Sequence, residues 1–403
     1  MPGGEATQVT STSIRGFFEI SLVTLNSFLA LLIMAVYGVS PALSKLLKGP
    51  QLFFILFALW ATLSAMWSPA PVLSAAKGIQ LFGVAIICAV ISTLARRSRI
   101  QGALLMQRTL LTIIVVLLAI NVVVHGTPLP YTDDYRPRFF LGFGHSLSSG
   151  MILALGIIAT VFASKATLVS VIIISALGML LLFADARGPT AGLLVALLCA
   201  FWWFLFRKPF QWFRHRAGLS LAIAAHLTLI AIITTIVGFT PLPSVALNYI
   251  FQEIPDARSL NGRLEVWALA LEVTRDHLIT GVGYFATRFY LIDAISWGPG
   301  QAHNAFFETL MSLGLVGILL FMGFYITLTL QAVQEARKQN YLPLTILICV
   351  SIQGILSPTL IAPNLPTAIT LLAITMTQSV QPKLKKGHHE RFDASQLLPA
   401  TGW

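Results

Sequence analysis

The residues of this chain best placed to do chemistry are histidines and arginines at the edges of apolar runs. His303 stands in Gln301-Ala302-His303-Asn304-Ala305, directly before the longest apolar run, and histidine is the side chain that exchanges a proton near neutral pH. Arg187 stands in Ala184-Asp185-Ala186-Arg187-Gly188-Pro189; Pro189 suits the first turn of the next helix, which leaves Arg187 in the linker before it. Arg263 follows Asn261-Gly262, the expected cap of a helix running to about Leu278 with Gly281 as its stop. A helix N-terminus carrying a guanidinium favours an anion. His145, in Gly144-His145-Ser146, repeats the His303 pattern, and segment 131–138 adds Asp133, Asp134, Arg136 and Arg138. Several guanidiniums with one imidazole suit a polyanionic lipid headgroup such as a diphosphate. Each residue also has a plainer reading: Arg187 as an interfacial snorkelling cation, Arg263 as half of a surface ion pair, His303 as a structural histidine.

Other chemistries find little support. Asp133–Asp134 is the lone adjacent carboxylate pair in the outer segments, so a divalent-metal site is poorly supported. Cys88, Cys199 and Cys349 lie far apart in separate apolar runs, which argues against a thiolate site or a disulfide framework. Gly281-Val282-Gly283-Tyr284 follows no strand and reads as a turn rather than a dinucleotide fingerprint. No P-loop or nucleophilic-serine motif occurs, and the expectation is an activity without metal or cofactor.

The elements that must position these residues are membrane helices. Of the 403 residues 56% are hydrophobic and 10% charged, against about 25% charged in a soluble domain. A spanning helix needs about 20 apolar residues. Candidate spans lie near 17–39, 52–66, 79–94, 104–124, 146–163, 167–183, 191–206, 219–239, 304–332, 343–357 and 365–380. The expected fold is an all-α integral membrane bundle of about 11–12 spans. Its parts are an N-terminal bundle over 1–239, a small helical cap over 240–303, C-terminal helices over 304–380 and a basic tail over 381–403. The cap is too long for a simple turn, and loops of that size are commonly functional.

Charge sets the expected orientation. Alternate loops and the tail hold 17 of the 26 basic residues and three of the 15 acidic ones, Glu335, Glu390 and Asp393. Lys and Arg of short loops stay cytoplasmic, so the tail is expected inside and the cap outside. The net charge of +11 is then mostly a topology signal, helped by anionic membrane lipids, and nucleic acid is not needed to explain it.

Taken together, Arg187-Gly188, Asn261-Gly262-Arg263-x-x-x-Trp267, Gly281-x-Gly283-Tyr284, His303-Asn304 and Gly314-Leu315-x-Gly317 resemble the O-antigen ligase and Wzy-type polymerase superfamily over roughly residues 130–325. The resemblance implies a GT-C-like glycosyltransferase of the bacterial inner (cytoplasmic) membrane, working on the periplasmic side without metal or nucleotide. It implies an undecaprenyl-diphosphate-linked glycan as donor and a glycan or lipid A-core as acceptor, with polysaccharide-assembly proteins as partners. Arg187 and Arg263 are then expected to hold the donor diphosphate, and His303 to activate the acceptor hydroxyl for inverting attack. Asn304 is a positioning group, and Asp185, Arg136, Arg138, His145 and Trp267 are wall or orienting residues. Polymerisation of repeat units (as in O-antigen or exopolysaccharide synthesis) ranks first, ligation onto lipid A-core in lipopolysaccharide biosynthesis second, and protein glycosylation third. A lipid-glycan flippase is the alternative of another class; it calls for ionisable residues along mid-span, where Glu308 and His226 are the main exceptions to nearly charge-free spans.

Overall fold

The structure is a computed structural model that describes residues 47–98, 102–130, 138–142, 146–163, 167–206, 262–295, 298, 300–363 and 367–371, with isolated helical positions at 28, 32 and 35. Among the described residues it contains α1 (Pro50–Leu63, continued by a 3₁₀ turn Ser64–Met66), α2 (Pro71–Ser98), α3 (Gly102–His125), α4 (Ser146–Ala163), α5 (Leu168–Phe183), α6 (Arg187–Phe206), α7 (Arg263–Asp276), α8 (Arg288–Leu291), α9 (Ala305–Arg337) and α10 (Leu342–Leu356), and no strand. The chain is a multi-pass, all-α membrane protein. Four described helices are long and apolar enough to cross a membrane: Pro71–Ile91 within α2, then α3, α4 and α9. Shorter apolar helices pack beside them. Of the span expected at 17–39 only positions 28, 32 and 35 are described, and of 365–380 only 367–371, as helix; the span expected at 219–239, cap residues 240–261 and the tail 381–403 lie outside the described residues.

Two boundaries differ from expectation. The span expected from 79 starts at Pro71, because Pro suits a first helical turn and Ser74 N–H already bonds the Ala70 carbonyl at 3.0 Å. Arg187 opens α6 rather than preceding it. The turn is completed by Thr190 N–H on the Ala186 carbonyl at 3.0 Å, and Pro189 is tolerated because first-turn N–H groups have no partner within the helix.

Helix α4 is the hub. Its residues from Ser149 to Thr160 are buried, and it packs against α3, α5, α6 and α10, as expected of a helix that is apolar on every side. By contrast α5 exposes Leu168, Val169, Val171, Ile172, Met179 and Leu182, a face that suits lipid.

A break in α9 joins the cap to the bundle. Gly314 takes φ 65°, ψ −160°, a region essentially reserved for glycine. The loop after α7 docks there by main-chain bonds. Val282 N–H bonds the Met311 carbonyl at 3.0 Å and Gly283 N–H the Ser312 carbonyl at 2.9 Å; Leu315 N–H bonds the Leu278 carbonyl at 2.8 Å and Val316 N–H that of Ile279 at 3.4 Å. Trp60 Nε1 takes the Leu313 carbonyl at 3.1 Å. The break therefore leaves its polar groups satisfied, as a low-dielectric setting demands. Tyr284 completes the joint: its N–H donates to Ser64 Oγ at 2.8 Å, its carbonyl accepts from Ser74 Oγ at 2.7 Å, and its hydroxyl donates to the Ile361 carbonyl. Beneath the cap a small core forms from Val266, Ala270, Val282, Leu291, Ile295, Ala302 and Met311.

Candidate functional site

Short turns bring Arg138, Asp185 and Arg187 to one mouth of the bundle. Segment 138–142 is pinned from three helices: Phe139 N–H bonds the Phe183 carbonyl at 3.1 Å, Leu141 N–H bonds Ser149 Oγ at 2.8 Å, and Gly142 N–H bonds Asn121 Oδ1 at 2.6 Å. Asn121 is fully buried and its amide also holds the carbonyls of Pro128 and Phe140, at 3.1 and 2.9 Å. Arg138 Nε then lies 3.7 Å from Asp185 Oδ2, and Arg187 Nε lies 3.7 Å from Asp185 Oδ1. One carboxylate thus holds two guanidiniums together while leaving both partly exposed, an arrangement able to receive an anion.

His303 sits in a backbone clamped on both sides. The carbonyl of Ala302 accepts from Trp267 Nε1 at 2.9 Å, and the N–H of Ala302 donates to Glu308 Oε2 at 2.6 Å. Glu308 Oε1 accepts from Thr287 Oγ1 at 2.7 Å, and the Trp267 ring stacks on Phe307 with centroids 5.1 Å apart. After His303, Asn304 caps α9. Its Oδ1 accepts the N–H groups of Phe306 and Phe307 at 2.8 and 3.1 Å, and its Nδ2 donates to the Ile355 carbonyl at 3.1 Å. The Asn304 side chain is thus committed to capping and to tying α9 onto α10. Between these clamps His303 has φ 51°, a costly conformation for a bulky residue. The described non-glycine residues with positive φ are Asp185, Phe285, His303 and Gln339, and all but the last lie at this end of the bundle.

The end of α10 brings the two motifs together. A Cβ added at Gly188 would lie 2.1 Å from Gln353 Oε1 and 3.3 Å from Leu356 Cδ1, so the residue after Arg187 lies against this turn of α10. Asn304, the residue after His303, bonds Ile355 in the same turn. Arg263 opens α7 one helical turn before Trp267, and Trp267 reaches the peptide preceding His303. Burial lowers the Arg263 pKa from its usual value, yet a guanidinium stays charged in a protein. Arg136 and His145 lie outside the described residues.

Two charged residues gain a place that spacing alone did not reveal. Arg288, on α8, and Glu308, in the first turn of α9, line a small cleft with Tyr284, Thr287, Gln301 and Ile361. Burial lowers the Arg288 pKa, partly offset by the Glu308 charge. The Tyr284 phenol is pushed well up by burial and then by Glu308, so it remains a donor. In sequence Arg288 looks like any cation of a long polar loop, and its nearness to Gly283-Tyr284 was the one available hint.

Part of the chain that holds these pieces is similar to a known family. Residues 169–322 match the O-antigen ligase family model, Wzy_C. The matched stretch runs from α5 into α9 and takes in Arg187, Arg263, His303 and Gly314, while α1–α4 and α10 lie outside it. The match bears out the resemblance to the O-antigen ligase and Wzy-type polymerase superfamily over this stretch. No curated protein matches the chain.

Proposed function

We propose that the O-antigen ligase-type domain transfers a glycan from undecaprenyl diphosphate to a second glycan on the periplasmic side of the inner membrane, polymerising repeat units. The observation that carries this reading is the meeting of the Arg187 and His303 segments on one turn of α10, with α7 tied to the peptide before His303. In the reaction His303 takes the proton of an acceptor hydroxyl, and the hydroxyl oxygen attacks the anomeric carbon from the face opposite the leaving group. The bond to the diphosphate oxygen breaks, and the diphosphate departs with the electron pair. Arg187 and Arg263 stabilise the charge that develops there, as fixed donors do in a site shielded from water. Arg138 and Asp185 orient Arg187, and Trp267 orients His303.

The test is transfer by the purified protein, in EDTA, from an undecaprenyl-diphosphate-linked oligosaccharide offered two acceptors side by side. The expected product is a longer lipid-linked chain. Glycan appearing on a lipid A-core instead would make the enzyme a ligase. A folded sample giving neither product, yet moving labelled lipid-linked glycan across vesicles, would replace the enzyme with a flippase.

A further inference from the structure

The cleft beneath α8 holds a guanidinium in need of an acceptor. Among the described residues Arg288 Nε is buried with no hydrogen-bond partner, an arrangement that costs free energy unless something supplies an acceptor. Glu308 acts on Arg288 through its charge, while its two oxygens receive Thr287 Oγ1 and the Ala302 N–H and leave Arg288 Nε without a hydrogen bond. The Arg288 Cζ lies 5.7 Å from the Phe285 ring centroid and Lys77 Nζ lies 5.4 Å from the same centroid. Two cations therefore border one aromatic ring, and Phe285 is itself held at φ 61°. Gly300 and Gln301 form another wall of the cleft and lead within two residues to His303. A group seated here lies on the His303 side of the site, whereas Arg138 and Arg187 face the mouth at α6.

We propose that this cleft is the acceptor-sugar subsite and that it selects a sugar bearing an oxyanion, a carboxylate or a phosphate substituent, which Arg288 receives. The word acceptor rests on the glycosyltransferase reading above; the oxyanion preference rests on the cleft alone. A planar guanidinium that lines the cleft with an unpartnered Nε matches either oxyanion by paired hydrogen bonds. The Phe285 ring keeps the guanidinium in place, and Lys77 adds positive potential.

Binding is measured first, without donor, on the full chain in nanodiscs. Three short oligosaccharides of one backbone are titrated calorimetrically: one neutral, one with a glucuronic acid at its end, one with a phosphate there. At least one acidic sugar should bind about 10- to 100-fold tighter than the neutral one, the range of a hydrogen bond to a charged group. Arg288→Gln should erase that preference, and Arg288→Lys should keep part of it. In transfer assays the same change should raise the acceptor KM and leave the donor KM unchanged. Equal binding of all three sugars to the native protein overturns the proposal, as does a preference that survives Arg288→Gln or a rise confined to the donor KM. Should Arg288→Gln fail to fold, the native preference and the Arg288→Lys variant still decide. A preserved Arg288-dependent preference with no transfer would remove the glycosyltransferase reading and leave the oxyanion site standing.

Discussion

Replacing Gly314 by alanine tests whether the cap and the membrane helix are one unit. An added Cβ would lie 2.3 Å from the Ile279 carbonyl oxygen, 2.4 Å from its carbon and 2.7 Å from Gly281 N. All three are main-chain atoms, so no side chain can swing aside. Reaching an ordinary contact requires the two backbones to part by about 1 Å, which stretches at least two of the four crossing hydrogen bonds beyond range. Each such bond contributes about 0.5–1.5 kcal/mol net, and an L-residue at this φ, ψ costs about 1–3 kcal/mol. The expected destabilisation is therefore about 2–6 kcal/mol. Gly178→Ala in α5 is the control, since nothing lies within 4 Å of its added Cβ. Thermal unfolding in detergent gives the first readout, and amide exchange at Val282, Gly283 and Leu315 gives the second. Gly314→Ala matching Gly178→Ala in unfolding, with those amides still protected, would refute the reasoning.

Three further outcomes follow from the site. His303→Ala should abolish glycan transfer in a protein that still inserts and unfolds normally, and full activity would take His303 out of the mechanism. Trp267→Phe keeps the ring that stacks on Phe307 but loses the donor to the Ala302 carbonyl, so turnover should fall about tenfold or more, with stability lowered by about 1 kcal/mol; unchanged turnover would show that this clamp is dispensable. Asp185→Asn removes two ion pairs of 3.7 Å between part-exposed groups, so stability should change by less than about 1 kcal/mol while the donor KM rises. A large drop in unfolding temperature with an unaltered KM would contradict that assignment.

The spans were legible because length and apolar composition are local properties. The run 146–163 became α4 and the run 167–183 became α5 almost to the residue. The start of α6 was harder to see: Pro189 drew attention to itself, whereas the turn at Asp185 that lets Arg187 enter the helix depends on backbone geometry. Gly281, Gly283 and Gly314 could be marked as turn or packing residues, yet their mutual contact joins positions about 30 residues apart and has no local signature. The same holds for Arg138, whose approach to Asp185 depends on Asn121, Ser149 and Phe183 from three helices. Glu308 stood out as a carboxylate at the head of a span, but its grip on Ala302 became visible only once the chain had turned back at His303. Trp267 stood out within its motif, yet the carbonyl it bonds lies 35 residues away and has no local signature.

The break in α9 also has a mechanical consequence. The first turn of that helix carries the clamp on His303, and its break at Gly314 carries the loop that leads to Phe285 and Arg288. A tilt of α9 in response to a thicker or thinner bilayer therefore swings cap and base together, like a bracket welded to its post. Spacing between His303 and the cleft is insulated from such deformation, and this end of the bundle keeps its dimensions when the surrounding membrane does not.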